Sequence, residues 1–251
     1  MPSLGGKVAV VTGSSQGIGA ALAAALAAEG AKVVVSDIQV CEETARLIAS
    51  LGGEAIAVPA DVTDNTSLAE LMATAETALG PVGVLVNNAG IFGTLELKPL
   101  TQISEDEWDE VFRVNARGVF QATKAAIPSV KRAGGGSIIN ISSGTILRGA
   151  PMFLHYVGSK GAVFAMTRAM ATELAADIRV NSIIAGFTAS KSVLNHPVMM
   201  EKIRPHALNA RMIKRDMLPD DLCGAAVFLA SDASGFITGQ AINIDGGATT
   251  Y

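Results

Sequence analysis

Apolar residues along this chain gather in short runs separated by longer stretches of mixed, helix-like pattern. The runs 8–11, 33–35, 55–58, 82–86, 137–141, 179–184 and 241–244 read as strands. The first of them is β-branched and opens into a glycine cluster, and an alanine-rich helical stretch follows over residues 20–28. Helical patterns fill most of the other intervals. Strands alternating with helices predict crossover units and a parallel sheet. Gly134, Gly135 and Gly136 mark a turn between a helix and the fifth strand rather than a domain linker. Residues 189–218 break the alternation: they hold no strand pattern, carry prolines after His196 and Arg204, and are rich in methionine and charge. That segment reads as a lid inserted over a substrate site.

Composition narrows the class without changing this picture. At 251 residues and 49% hydrophobic content, the chain can bury the core of one α/β domain spanning residues 1–251, and no second domain is needed. Nineteen basic residues against 23 acidic ones give a net charge of −4, which offers no basic footprint for nucleic acid. Cys41 and Cys223 do not make a disulfide framework, and the chain opens without a charged leader and cleavage site, so the cytoplasm is the expected compartment. The alanine-rich stretch stops at Glu29 and Gly30, too short to span a bilayer, and no membrane partner is expected. His155, His196 and His206 form no ligand cluster, and no metal is expected.

Two constellations carry candidate chemistry. The segment Thr12-Gly13-Ser14-Ser15-Gln16-Gly17-Ile18-Gly19 lies between the first strand and the alanine-rich helix. Such a turn lets backbone N–H groups approach a pyrophosphate, to which a helix N-terminus adds about half a positive charge. The second strand ends in Asp37, about twenty residues on, where a carboxylate can accept hydrogen bonds from a ribose 2′-hydroxyl and repel a 2′-phosphate. Gln16 in the loop and Ile38 after the acid supply no cation to neutralise that phosphate, so NAD is favoured over NADP. An alternative reading makes Asp37 a strand-end turn residue. The second constellation is Ser143, Tyr156 and Lys160. Positions 156 and 160 share a helix face, so the Lys160 ammonium is expected beside the Tyr156 phenol, favouring its deprotonated form, while Ser143 offers a hydroxyl to the reacting oxygen. A free phenol ionises near about pH 10, too high for acid/base work near neutrality without such help.

Taken together, the glycine segment 12–19, the run Asn87-Asn88-Ala89-Gly90, Asn115, Ser143, Tyr156, Lys160 and the closing Asp245-Gly246-Gly247 resemble the short-chain dehydrogenase/reductase family over nearly the whole chain. The resemblance implies a doubly wound Rossmann fold with a parallel sheet of about seven strands and helices on both faces, bound NAD or NADP, and hydride transfer at a carbonyl carbon. It further implies that Asp61 and Val62 contact the adenine, that Asn88, Ala89 and Gly90 let a ribose pass close to backbone, and that Asn115 holds a water relay to Lys160. Lys160 would also hydrogen-bond the nicotinamide ribose. A homotetramer or homodimer built through helices near Asn115 and Lys160 is implied as well. The run Ala185-Gly186-Phe187-Thr188-Ala189-Ser190 departs from the family pattern, lacking its proline and replacing a threonine with Ser190. A serine hydroxyl can still bond a nicotinamide carboxamide, so Gly186, Thr188 and Ser190 remain cofactor candidates.

The expected reaction is oxidation of a secondary alcohol, with Tyr156 removing the hydroxyl proton and Ser143 holding the oxygen. In the lid, a helix-like run over 207–217 places Arg211 and Lys214 three apart, a pair able to hold an anionic substrate tail; the alternative is a solvated basic face paired with Asp216, Asp220 or Asp221. With the catalytic trio, this pair is similar to that of the 2-hydroxypropyl coenzyme M dehydrogenases of S specificity, whose alcohol ends in a sulfonate. A 3-oxoacyl carrier-protein reductase, another secondary-alcohol dehydrogenase, and a non-catalytic dinucleotide sensor remain open.

Overall fold

The computed structural model describes residues 3–39, 41–175 and 177–250; residues 1, 2, 40, 176 and 251 of the expected domain lie outside the described residues. In chain order the elements are β1 (Val8–Thr12), α1 (Gly17–Ala28), β2 (Lys32–Ser36), α2 (Glu42–Ser50), β3 (Glu54–Ala57), α3 (Asn65–Leu79) and β4 (Val82–Asn87). Then follow α4 (Glu105–Phe112), α5 (Gly118–Arg132), β5 (Gly136–Ser143), α6 (Thr145–Arg148), α7 (Leu154–Leu174), β6 (Ile178–Ala185), α8 (Lys191–Leu194), α9 (Arg204–Ala210), α10 (Cys223–Ala230) and β7 (Ala241–Ile244). The strands pair in parallel in the order β3-β2-β1-β4-β5-β6-β7.

The burial of the strands follows from that order. Every residue of β1 and β4 is buried, whereas the edge strands β3 and β7 are only partly covered. Strands covered on both faces need continuous apolar runs rather than alternation, which is why the valine and isoleucine runs were legible as strands. One core lies between the sheet and α1 and α10, built on Val11, Leu22, Leu26, Val33, Ile139 and Leu229. The other lies under α3 and α5, built on Val10, Leu68, Leu71, Leu85, Ile138 and Val180. Chain order reverses between β1 and β4, and the crevice beyond the strand ends at such a switch point is where ligands of these sheets sit.

The lid segment differs from its expected form. Instead of one helix over 207–217, α9 stops at Ala210, and the N–H groups of Met212 and Ile213 both donate to the Gly246 carbonyl, at 2.9 and 3.0 Å. A hydrogen-bond partner from the far end of the chain thus ends the helix, and Arg211 turns to extended backbone. Thr188 and Met217 form an isolated parallel bridge across the base of the segment.

Candidate active site

β1 delivers Thr12 to the start of the glycine loop, where its hydroxyl donates to the Val86 carbonyl and accepts from the N–H groups of Asn88 and Ala89. Asn88 answers by donating to the carbonyls of Thr12 and Gly13, at 3.0 and 2.8 Å. These bonds join the ends of β1 and β4 across the switch point. The close approach demands glycine: a Cβ at Gly19 would lie 2.2 Å from the Gly13 carbonyl oxygen, and one at Gly13 would lie 2.6 Å from the Ala89 Cα. Gly13 also sits at φ +64°, in the left-handed region. Asp37, at the end of β2, reaches back over the loop and accepts from both the Ser15 N–H and the Ser15 hydroxyl.

α7 carries the acid/base pair because its buried stripe runs through Tyr156, Lys160, Val163, Thr167 and Ala171, at the helix period, onto β5 and β6. Tyr156 and Lys160 are both buried, and so is Ser143 at the end of β5. The Ser143 oxygen accepts from the Thr145 N–H and hydroxyl, which leaves its own proton for a neighbour. Burial pushes the Tyr156 phenol up to about 12, against which a hydrogen bond from Ser143 works in the opposite direction. Burial also pulls Lys160 down to about 8. The expected lowering of the phenol does not prevail: the Lys160 Nζ donates to the Ile141 carbonyl at 2.9 Å, and desolvation is the largest influence on both groups.

Asn115 lies in a single π-helical turn, Arg113–Arg117, between α4 and α5, rather than in the regular helix its surroundings predict. Such widened turns re-aim side chains and recur at functional sites. Its Oδ1 accepts from the Ile91 N–H at 2.7 Å, and its Nδ2 donates to the Ile91 carbonyl and the Ser159 hydroxyl. A Cβ at Gly90 would lie 3.1 Å from Asn115 Oδ1 and 3.5 Å from Lys160 Nζ, so Gly90 keeps the passage between those groups open.

One cavity of about 900 Å³ gathers these residues. Its lining includes Gly13, Ser15, Gln16, Gly17, Ile18, Gly19 and Asp37, then Asp61, Val62, Asn88, Ala89 and Gly90, then Ser143, Tyr156, Lys160, Gly186, Thr188 and Ser190. Asn115 stands behind it, fully buried. A dinucleotide fits the features present: a backbone-lined cradle that any side chain at Gly13 or Gly19 would fill, a carboxylate for a ribose, and hydroxyls at the far end. Sequence reasoning passed over Phe92 and Phe153, which pack on the Tyr156 ring with centroids at 4.7 and 6.5 Å, and over Arg148, which lines the cavity. Isolated aromatic and basic positions in loops or in a single helical turn carry no periodic signal.

Arg211 and Lys214 are not brought together. Arg211 is buried, donating to the carbonyls of Phe187 and Arg215, while the exposed Lys214 donates to the Asn209 carbonyl at 2.7 Å. Neither lines the cavity. The physical reason is the early end of α9, which removes the shared helix face that would have aligned them. Arg215 pairs with Asp221 and Arg204 with Asp216, so the nearby aspartates are taken by other arginines and the solvated-face alternative does not describe Arg211 and Lys214 either.

A nucleotide-sized cradle at the switch point of a parallel sheet, ending at a buried tyrosine and lysine, is that of a dinucleotide-dependent oxidoreductase. The enoyl-(acyl carrier protein) reductase family model matches residues 13–249. The chain is 36% identical to 3-oxoacyl-[acyl-carrier-protein] reductase of Thermotoga maritima, with 97% of this chain and 98% of that protein aligned. A solved structure from Sinorhizobium meliloti, provisionally named a short-chain alcohol dehydrogenase, matches with TM-score 0.91 and 37% identity over 98% of this chain and 97% of its own. A second, from Agrobacterium tumefaciens, provisionally named a 2-deoxy-D-gluconate 3-dehydrogenase and holding NADP, matches with TM-score 0.88 and 34% identity over 98% of this chain and 97% of its own. The chain belongs to the short-chain dehydrogenase/reductase family, oxidoreductases that bind a nicotinamide dinucleotide. Among the described residues no helix is long and apolar enough to cross a membrane.

Proposed function

We propose that this protein is an NAD-dependent dehydrogenase that oxidises a secondary alcohol to a ketone. The observation that carries the reading is the single cavity in which the glycine loop and Asp37 lie at one end and Ser143, Tyr156 and Lys160 at the other. Bound nicotinamide supplies hydride acceptance and donation. The chain's own residues do the rest. Ser143 holds the substrate oxygen, Tyr156 exchanges its proton with that oxygen, and Lys160 orients the ribose and places positive charge behind the phenol. Asp37 supports NAD, because its carboxylate lines the cavity at the glycine-loop end, where it would repel a 2′-phosphate, and no lysine or arginine flanks it at Gln16, Ile38 or Gln39. That charge also weighs against a 3-oxoacyl carrier-protein reductase that uses NADPH.

For the substrate, the reading extends to 2-(S)-hydroxypropyl coenzyme M, whose oxidation yields 2-oxopropyl coenzyme M. It rests on the resemblance of the Ser143, Tyr156, Lys160, Arg211 and Lys214 set in the sequence, not on the folded positions of Arg211 and Lys214. Exposed Trp108, Phe120 and Leu154, on α4, α5 and α7, support a homotetramer or homodimer, to be checked by light scattering on the eluting protein.

The test is NADH formation with purified protein, NAD or NADP, and the S and R alcohols, beside Tyr156→Phe and Asp37→Ala. Turnover with NAD that is lost in Tyr156→Phe while nucleotide binding survives is the expected result. Nucleotide binding without turnover of any secondary alcohol would make the protein a dinucleotide sensor and end the catalytic reading. Equal use of NADP by the wild type would remove the assignment to NAD.

A further inference from the structure

The cavity is electrostatically lopsided, and the asymmetry turns on one arginine. The carboxylates that line it, Asp37, Asp61 and Glu110, stand at the nucleotide end. Arg113 stands there too and is spoken for: Glu110 accepts from its Nε and Nη2, at 2.7 and 2.8 Å, and Thr63 from its Nη1. Lys160 is held by the Ile141 carbonyl. Arg148 differs from both. It ends the short helix that follows Ser143, it is exposed to the cavity, and among the described residues its guanidinium makes no side-chain hydrogen bond or ion pair. Its Nη2 lies 4.0 Å from the Cβ position of Gly144, next in sequence to Ser143, which puts the fork near the catalytic end. Its charge also reaches the buried Arg211 guanidinium, against which it works. The wall between is apolar, formed by Phe92, Phe153 and Val193 around the Tyr156 ring.

We propose that Arg148 is the specificity-determining residue for an oxyanion on the substrate, so that the preferred alcohol carries a carboxylate or sulfonate a few apolar carbons from its carbinol. A guanidinium free of partners offers a planar pair of donors matched to such a group, and an anion placed there relieves the repulsion between Arg148 and Arg211. The proposal rests on the dehydrogenase reading above and assigns the anion to a residue that reading does not use.

The experiment compares 3-hydroxybutyrate and 2-(S)-hydroxypropyl coenzyme M with the uncharged 2-butanol, in the wild type, Arg148→Gln and Arg148→Lys, with thermal melting as the check on folding. The ratio of kcat/KM for each anion to that for 2-butanol is expected to fall at least about tenfold in Arg148→Gln, chiefly through KM, with partial recovery in Arg148→Lys. The two anions separate a carboxylate from a sulfonate preference, and a fall with either one supports the proposal. An unchanged ratio for both overturns it. If the wild type turns over no alcohol, the dehydrogenase reading fails, and binding decides the rest: the Kd of acetoacetate for the NADH complex of Tyr156→Phe, by calorimetry, rises at least about tenfold when Arg148→Gln is added, or Arg148 is not an anion site. A ratio or Kd moved at least about tenfold by Lys214→Ala and untouched by Arg148→Gln would place the anion at the lid instead.

Discussion

Tyr156 shows how little a side chain's neighbours in sequence say about its proton. A lysine one helical turn away suggested a phenol held below its ordinary range, yet both groups lie in a dry pocket that disfavours charge on either, pushing the phenol up to about 12 and the ammonium down to about 8. The enzyme therefore stands as a neutral phenol, poised to give a proton. Alcohol oxidation needs the opposite form. Below the phenol's pKa each pH unit multiplies the phenolate fraction about tenfold, so kcat/KM for oxidation should climb by up to about tenfold per unit between about pH 6 and 8. Above about 8 the loss of the Lys160 charge should flatten the climb. Ketone reduction, which uses the protonated phenol, should show no such rise. A pH-rate profile run in both directions checks this, and an oxidation rate independent of pH would remove Tyr156 from the proton-transfer step.

At the scale of elements, the turn from β1 into α1 is among the tightest parts of the molecule. Its bonds run across to Asn88 and Ala89 after β4, so the loop is fastened to the sheet and not merely tethered by its ends. Gly19 has no room for a methyl group beside the Gly13 carbonyl and Asn88 Nδ2, at 2.2 and 2.5 Å. Gly19→Ala should lower stability by about 1–3 kcal/mol, the usual cost of overpacking a rigid site. It should also weaken NADH binding by displacing the cradle, so denaturant melts and a fluorescence titration should both move. A variant that melts and binds like the wild type would show that the loop yields more readily than its bonds imply. By contrast, Gly52 and Gly134 would meet nothing within 4 Å and owe their identity to positive φ alone.

For the whole molecule, the cavity crosses the sheet's switch point, drawing on residues from β1 through the lid. A ligand there ties distant segments together and stabilises the fold by mass action. NADH at about one hundred times its Kd should add about 2.7 kcal/mol, and NADPH at the same concentration should add less because of Asp37. Melting temperatures with each nucleotide read this directly; equal shifts would mean that Asp37 does not discriminate. The single histidine whose two ring nitrogens both find partners, among the described residues, is His196: it faces the Leu95 carbonyl and the Met199 N–H, fastening the lid to the loop after β4.

The sequence by itself determined the parallel α/β architecture, the strand runs to within two residues, and the glycine loop between β1 and α1. These features are local: a strand buried on both faces must be apolar throughout, and a backbone that approaches another within contact distance must be glycine wherever the approach occurs. Tertiary structure alone decided three other matters. The Gly246 carbonyl, far away in sequence, ended α9 and turned Arg211 and Lys214 away from each other. The Ile141 carbonyl took the Lys160 ammonium, and burial set the protonation of the pair. Arg148 came to line the cavity from a four-residue helix with no pattern to announce it. Periodicity records which face of an element is buried, whereas the partner a polar group finds depends on segments that meet only when the chain has folded.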